Sequence, residues 1–381
     1  MSTGEGWRLD GADETSPGHP GDGDEHTSGS AAELRVVPPE PEPVGTEAAV
    51  ADEIPWVHSP FEQRWWLEAV APGQWGEALV ERQGQVVARL PWVRRRQLGV
   101  TVLTQPPLTR FLGPWLRLGE GKYETLLATE RELMAELIAT LPAFHAYRSC
   151  FAPAVTNWLP FHWAGFDATV RYTYRLDDLG DPDRLWSGLR SNIRNHVRRS
   201  SRHLEVRSDL GIDEVLEINR KVFARQGLRV SFSDALAHRL DRACKARGAR
   251  TILAAVDAGG RVHAAWFFVH DATTTYLLFG GADPELRSSG ANSLVVWEAI
   301  RRAAETSQRF DFLGSMIESV ERFNRAFGAR QVPYFFVSRT RPQVRPLFAA
   351  RAVAARLARA VTDARRLGRR ESVPPGEDGS R

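Results

Sequence analysis

The chain has 381 residues, 43% hydrophobic and 25% charged, which suits a soluble globular protein of about two domains plus tails. No run of 18 apolar residues argues for a membrane span, and MSTGEGWRLDGADE lacks the basic start and apolar core of a secretory leader. Cys150 and Cys244 are too few for a disulfide framework or a thiolate metal site, and both are expected reduced in a cytoplasmic protein. The formal net charge of +3 hides an asymmetry. Residues 1–53 hold 13 acidic side chains against Arg8 and Arg35, a net of −11, so the rest carries +14. A basic body suits an anionic partner such as coenzyme A, transfer RNA, anionic lipid or a phosphorylated sugar.

Residues 1–53 are rich in Gly, Pro, Asp, Glu and Ser and poor in aromatics. They cannot bury enough apolar surface to offset ordering entropy, so a disordered acidic tail is expected. Order should begin near Ile54-Pro55-Trp56. Phe61, Trp65 and Ala69, spaced by four behind Ser59-Pro60, predict a helix over 61–70. Alternating runs at 75–82 and 85–94 predict a hairpin around Gln83-Gly84, and 100–103 a third strand. Leu126, Leu127, Leu133, Met134, Leu137 and Ile138 give one apolar face to a helix over 123–141; a strand over 147–153 follows.

A second α/β unit starts with a strand at 169–176. Trp186, Leu189, Ile193 and Val197 predict one helix over 185–203, and two further helices cover 212–226 and 234–247. Strands at 249–257, 262–270 and 273–279 come next, the first two joined by Ala258-Gly259-Gly260. A helix at 292–306, a strand at 309–313, a helix at 320–327 and a strand at 332–338 complete the unit. The shared plan of the two units predicts a duplicated α/β (α+β) architecture. Its parts are a tail at 1–53, domains at 54–165 and 166–340, and an Arg-rich tail at 341–381.

Three segments carry a resemblance. Gly290-Ala291-Asn292-Ser293-Leu294 opens a helix running into Trp297-Glu298-Ala299-Ile300; Phe310-Asp311-Phe312-Leu313-Gly314 ends a strand; Val320 to Ala329 holds Phe323-Asn324-Arg325-Ala326-Phe327-Gly328. Their order and spacing resemble the GCN5-related N-acetyltransferase (GNAT) superfamily in its two-domain branch, FemAB-like or BioF2-like. The sequence departs from that pattern at Leu313, at Asn324 where a basic residue is usual, and at Asn292, which ends a pyrophosphate-type loop usually closed by Gly or Ala.

The resemblance implies two tandem GNAT-like domains, mixed central sheets flanked by helices, and an acetyl-CoA or other acyl-CoA donor. It places the donor on Leu278, Phe279 and Gly280 of a splayed strand and on the loop Arg287, Ser288, Ser289, Gly290, Ala291, Asn292. Backbone N–H groups at a helix start favour an anion, and Gly290 permits close approach; a plain helix cap is the structural alternative. Asp311, Glu318 and Glu321 are the carboxylates that could deprotonate an amine. Asp311 could equally anchor Arg322 or Arg325, and the glutamates could be helix-dipole partners.

Arg190, Arg194 and Arg198 form an i, i+4 row that could bind an anionic acceptor or transfer RNA, or face solvent. From Arg339 to Arg370 ten Arg accompany only Asp363, an amphipathic pattern suited to weak contact with an anionic membrane surface. No metal-ligand spacing and no DNA-binding signature occurs, so neither metal nor DNA is expected. The reading is acyl transfer to an amine of a sugar, cell-envelope precursor or small metabolite. It is placed in the cytoplasm or at the inner membrane face, with Arg190, Arg194, Arg198, Arg322 and Arg325 at the acceptor. The alternatives are aminoacyl transfer from transfer RNA, as in the peptidoglycan branch, and a non-catalytic membrane-docked scaffold.

Overall fold

The computed structural model describes residues 54, 57–314, 316–351 and 353. The acidic segment 1–53 and most of the Arg-rich segment lie outside the described residues, apart from a helical stretch at 345–351.

The first half runs α1 (Arg64–Val70), β1 (Trp75–Arg82), β2 (Gln85–Gln97), β3 (Val100–Thr104), β4 (Trp115–Leu116), α2 (Tyr123–Thr140), β5 (Ala146–Cys150) and α3 (Leu159–Trp163). The second half opens with β6 (Asp167–Leu176), α4 (Pro182–Gly188), α5 (Ser191–Ser200), β7 (Leu204–Arg207), α6 (Ile212–Arg225) and α7 (Asp234–Lys245). It continues with β8 (Arg250–Asp257), β9 (Val262–His270), β10 (Thr274–Ala282), α8 (Ala291–Ala303), β11 (Arg309–Asp311), α9 (Glu318–Arg325) and β12 (Arg330–Thr340).

All the strands join one mixed sheet, in the order β1-β2-β3-β5-β12-β6-β11-β10-β9-β8-β7, with β4 on β2. The last strand of the second half crosses to the first at the sheet's centre. β12, from the end of the second half, pairs with β5 of the first, while β6 pairs with β11. β6 and β12 also pair with each other from Asp167↔Ser338 to Arg175↔Arg330. Period-two alternation along β6 puts Ala168, Tyr174 and Leu176 on one face. There α2 and α3 cover the first half, and α5 and α8 the second. α1, α6 and α7 cover the opposite face, over Phe267, Val269 and Tyr276.

The expected hairpin at 258–260 forms. Gly260 takes φ 80°, and the Asp257 carboxylate accepts the N–H groups of Gly259 and Arg261. The single helix expected over 185–203 is two helices. Leu189 and Arg190 are extended between them, and the Arg190 N–H donates to Ala326 O at 2.9 Å. The break brings α4 against the turn after α9, where a Cβ on Gly328 would lie 3.0 Å from Gly188 O. Apolar spacing cannot reveal it, because Leu189 stays buried in either arrangement. The short strands β4 and β7 carry too few residues to show a period and were not expected.

Candidate active site

β10 and β11 run parallel only through Thr274↔Arg309, Thr275↔Phe310 and Tyr276↔Asp311. Beyond Tyr276, β10 stays on β9 with an irregularity at Leu278, while β11 ends at Asp311. The edge of β10 facing β11 is therefore open from Leu277 onward. Gly280 and Gly281 keep this stretch slim. A Cβ on Gly280 would lie 2.3 Å from Ala265 O, and one on Gly281 would lie 2.9 Å from Val222 Cγ2.

A cleft of about 230 Å³ occupies the opening. α6 supplies Val222, Arg225 and the following Gln226; β10 supplies Leu277, Gly280, Gly281 and Ala282. Arg287 and Asn292 border it, and α9 supplies Ser319, Val320, Phe323 and Asn324. Asn324 is 1% exposed, and neither its amide oxygen nor its amide nitrogen has a hydrogen-bond partner among the described residues. An orphaned buried amide costs about 1–3 kcal/mol, so a ligand that satisfied it would recover that energy.

The predicted loop is a 3₁₀ turn at Arg287–Ser289 followed by left-handed Gly290. Of the expected donor residues, Gly280, Arg287 and Asn292 line the cleft; Leu278, Phe279, Ser288, Ser289, Gly290 and Ala291 do not. Phe279 instead packs against Phe267 and Phe232. The close approach at Gly290 is made by the protein itself, since a Cβ there would lie 2.6 Å from Ser200 Oγ and 3.2 Å from His196 Cβ. Ser200 donates to Ser289 O and Arg199 to Ser288 O, tying α5 to the turn. The Asn292 carboxamide oxygen accepts the Trp266 indole N–H at 2.7 Å.

Asp311 is 2% exposed and lies outside the cleft. Burial pushes its pKa up to about 6, against the opposing pull of hydrogen bonds from Thr173 and the Leu313 N–H and of Arg175 and Arg110. Its Oδ1 accepts the Thr173 hydroxyl and, at 2.7 Å, the Leu313 N–H. Leu313 and Gly314 both take left-handed φ, 54° and 52°, and a Cβ on Gly314 would lie 2.0 Å from Tyr172 O. The carboxylate thus holds the turn that carries the chain from β11 to α9, and so sets where Asn324 sits. It makes no ion pair with Arg322 or Arg325. Those pair within α9, Arg322 with Glu318 and Arg325 with Glu321, a helical turn apart. None of the four lines the cleft.

The expected arginine row is divided by the helix break. Arg190 precedes α5 and is exposed; Arg194 donates to Ser187 O and Leu189 O, closing α4; Arg198 lies over the Trp186 ring at 5.3 Å. No group of three or more metal-ligating side chains occurs among the described residues. Sequence reasoning missed Val222, Arg225, Gln226, Trp266, Val320 and Phe323, and treated Asn324 only as a departure from pattern. Arg225-Gln226-Gly227 at a helix end was a visible signal, but nothing local says that the end faces β10.

Residues 187–325 match the family model described as the acetyltransferase (GNAT) domain. No curated protein matches the chain. Among solved structures, the chain resembles FemX at 12% identity, over 73% of this chain and 93% of that one, with a TM-score of 0.55. A tandem GNAT protein from the clavulanic acid biosynthesis pathway aligns at 13% identity, over 70% and 83%, with a TM-score of 0.43. The C-terminal domain of a putative lysylphosphatidylglycerol synthetase from Agrobacterium fabrum aligns at 14%, over 76% and 89%, at 0.44. The class defined is a GNAT domain, an acyltransferase module, spanning residues 187–325. It is set in a two-domain fold of the FemAB-like kind.

Proposed function

We propose that this chain transfers an acyl group from acyl-CoA, acetyl-CoA foremost, to an amine of a sugar, cell-envelope precursor or small metabolite. The observation that carries the reading is the open edge of β10 with the unpartnered Asn324 amide facing it across the cleft. A thioester donor supplies an activated acyl carbon. The free backbone groups of β10 and the Asn324 amide can bond an amide-bearing donor arm and hold its carbonyl in place. Val222, Leu277, Val320 and Phe323 wall the passage with apolar surface and exclude water. Asp311 acts at a distance, as a positioning residue for α9. Among the described residues no carboxylate or imidazole lines the cleft, so the acceptor amine is used as its free base, delivered from solution.

A second reading, aminoacyl transfer from transfer RNA, is favoured by one feature. α5 closes over Gly290, where a coenzyme A diphosphate would ordinarily approach, and presents exposed Arg198, Arg199 and Arg202 beside it. No described helix is long and apolar enough to cross a membrane. Contact with an anionic lipid surface through the Arg-rich segment beyond Arg339 belongs to the same proposal.

Calorimetry of the full chain with acetyl-CoA, wild type against Asn324→Leu, tests the first reading. The variant is expected to unfold with about 1 kcal/mol more free energy, because an orphaned amide is removed, and to lose at least about ten-fold in affinity. Binding of an aminoacylated RNA but not acetyl-CoA would replace it with the second reading. Binding of neither would sink both.

A further inference from the structure

We infer that the anionic group of the donor is held by side chains, Arg225, Arg287 and Asn292, rather than by a backbone cradle, and that Trp266 is the positioning residue for Asn292. This rests on the acyl-donor reading only for the source of the phosphate.

Three successive N–H groups of the turn already have acceptors within the protein. The Ser289 N–H donates to Leu286 O, that of Gly290 to Arg287 O, and that of Ala291 to Ser289 Oγ; Ser293 and Leu294 both donate to Gly290 O. The space in front of Gly290 is filled by Ser200 and His196. What faces the cleft is different chemistry. Arg225 ends α6, and Arg287 opens the turn after β10; both line the cleft, both are exposed, and neither makes an ion pair among the described residues. No acidic side chain among the described residues lines the cleft. Exposed Glu285, two residues before Arg287, is the nearest carboxylate in sequence, and Asp283 is neutralised by Lys221 at 2.9 Å. Two unpaired guanidinium groups in one concave site suit a phosphate, which they can bond through several N–H groups at once.

Asn292 stands where the family's loop ends in Gly or Ala. Its carboxamide is not free to rotate. The oxygen takes the Trp266 indole N–H at 2.7 Å, and Trp266 is itself 5% exposed, packed between β10 and α8. With the oxygen so held, the NH2 group is left as the donor for an anion in the cleft. The residue at the helix start therefore adds a side-chain donor of fixed orientation beside a turn whose Ser289, Gly290 and Ala291 N–H groups are already bonded.

The test uses full chain at low salt and three probes: inorganic triphosphate, coenzyme A and a short RNA hairpin ending in CCA. Arg225→Ser and Arg287→Ser are each expected to weaken triphosphate binding about ten-fold. Asn292→Ala and Trp266→Phe should each weaken it several-fold, but Trp266→Phe should add nothing in the Asn292→Ala background. A purely structural Trp266 would give additive losses and overturn its positioning role. Full affinity in the Arg225→Ser/Arg287→Ser double variant would overturn the side-chain site, as would failure of wild type to bind any probe. Triphosphate binding without coenzyme A binding would leave the anion site standing and remove the acyl-CoA reading. The hairpin, if it loses affinity in the same variants, then identifies RNA as the source of the phosphate.

Discussion

In the first half of the sheet β3 and β5 run parallel through Val102↔Ala146 and Leu103↔Tyr147, joined by α2; in the second, β10 and β11 run parallel and are joined by α8. The halves part at the chain leaving the first strand of each pair. After β3, residues 105–114 lie along β5. The Gln105 side chain accepts the Cys150 N–H at 2.8 Å, the Leu112 N–H donates to Cys150 O at 2.8 Å, and Phe111 and Leu112 are buried. A Cβ on Gly113 would lie 2.9 Å from Phe151 Cα, so that segment is packed backbone to backbone. After β10, the chain turns toward α5 instead and leaves the strand edge open. The same strand pairing yields a plugged half and an open half, and the difference lies in one connecting loop.

The largest effect should come from the turn that opens the second half. Gly314→Ala puts a methyl group 2.0 Å from Tyr172 O at left-handed φ, and should cost about 4 kcal/mol or more in urea unfolding. A midpoint like that of wild type would mean that this turn does not fix α9.

Asp311→Asn sharpens the same point through pH. The folded-state pKa of about 6 lies above the ordinary 3.8, so the folded chain holds this proton more tightly than the unfolded one. The resulting stability is present below pH 3.8 and is lost as pH rises through 6. Wild type should thus lose on the order of 3 kcal/mol relative to the variant between pH 4 and 7, read as the difference of two denaturation series. A flat difference would place the carboxylate in a less buried setting.

Gln105→Leu tests the plug. It leaves the Cys150 N–H without its side-chain acceptor and should cost about 1–3 kcal/mol, with acetyl-CoA affinity unchanged. A loss of affinity would give the first half a share in the site. The smallest effect is expected at Glu318, whose side chain is 78% exposed and pairs with Arg322 among the described residues. Glu318→Gln should leave transfer rates within about two-fold, since an exposed i, i+4 pair contributes little. A drop of a hundred-fold would restore Glu318 as the base.

Most elements were legible because their periods are local. The apolar spacing on α6 and α8 and the continuous apolar runs of β8 and β9 are written in consecutive residues, and the glycine turn at 258–260 marks its own hairpin. The helix break at Leu189 was not legible, because it depends on an acceptor at Ala326, far along the chain. The site shows the same division. Arg287, Asn292 and Gly280, named from motif and position, line the cleft, whereas Asp311, read as a base or as an anchor for Arg322 or Arg325, is buried outside it and pairs with neither. Its partners, Thr173 and the Leu313 N–H, come from two strands that meet only in the sheet. Asn324 was marked as an oddity; that its amide has no partner is a fact about every neighbour at once.

By itself the sequence determined most elements and their GNAT-like order, because hydrophobic period and turn chemistry act over a few residues. The tertiary structure alone decided that β12 lies between β6 and β5 of the other half, that one splay is filled and the other open, and which polar groups go unpaired. Those outcomes depend on backbone edges and buried atoms brought together across more than a hundred residues, and no local pattern records such meetings.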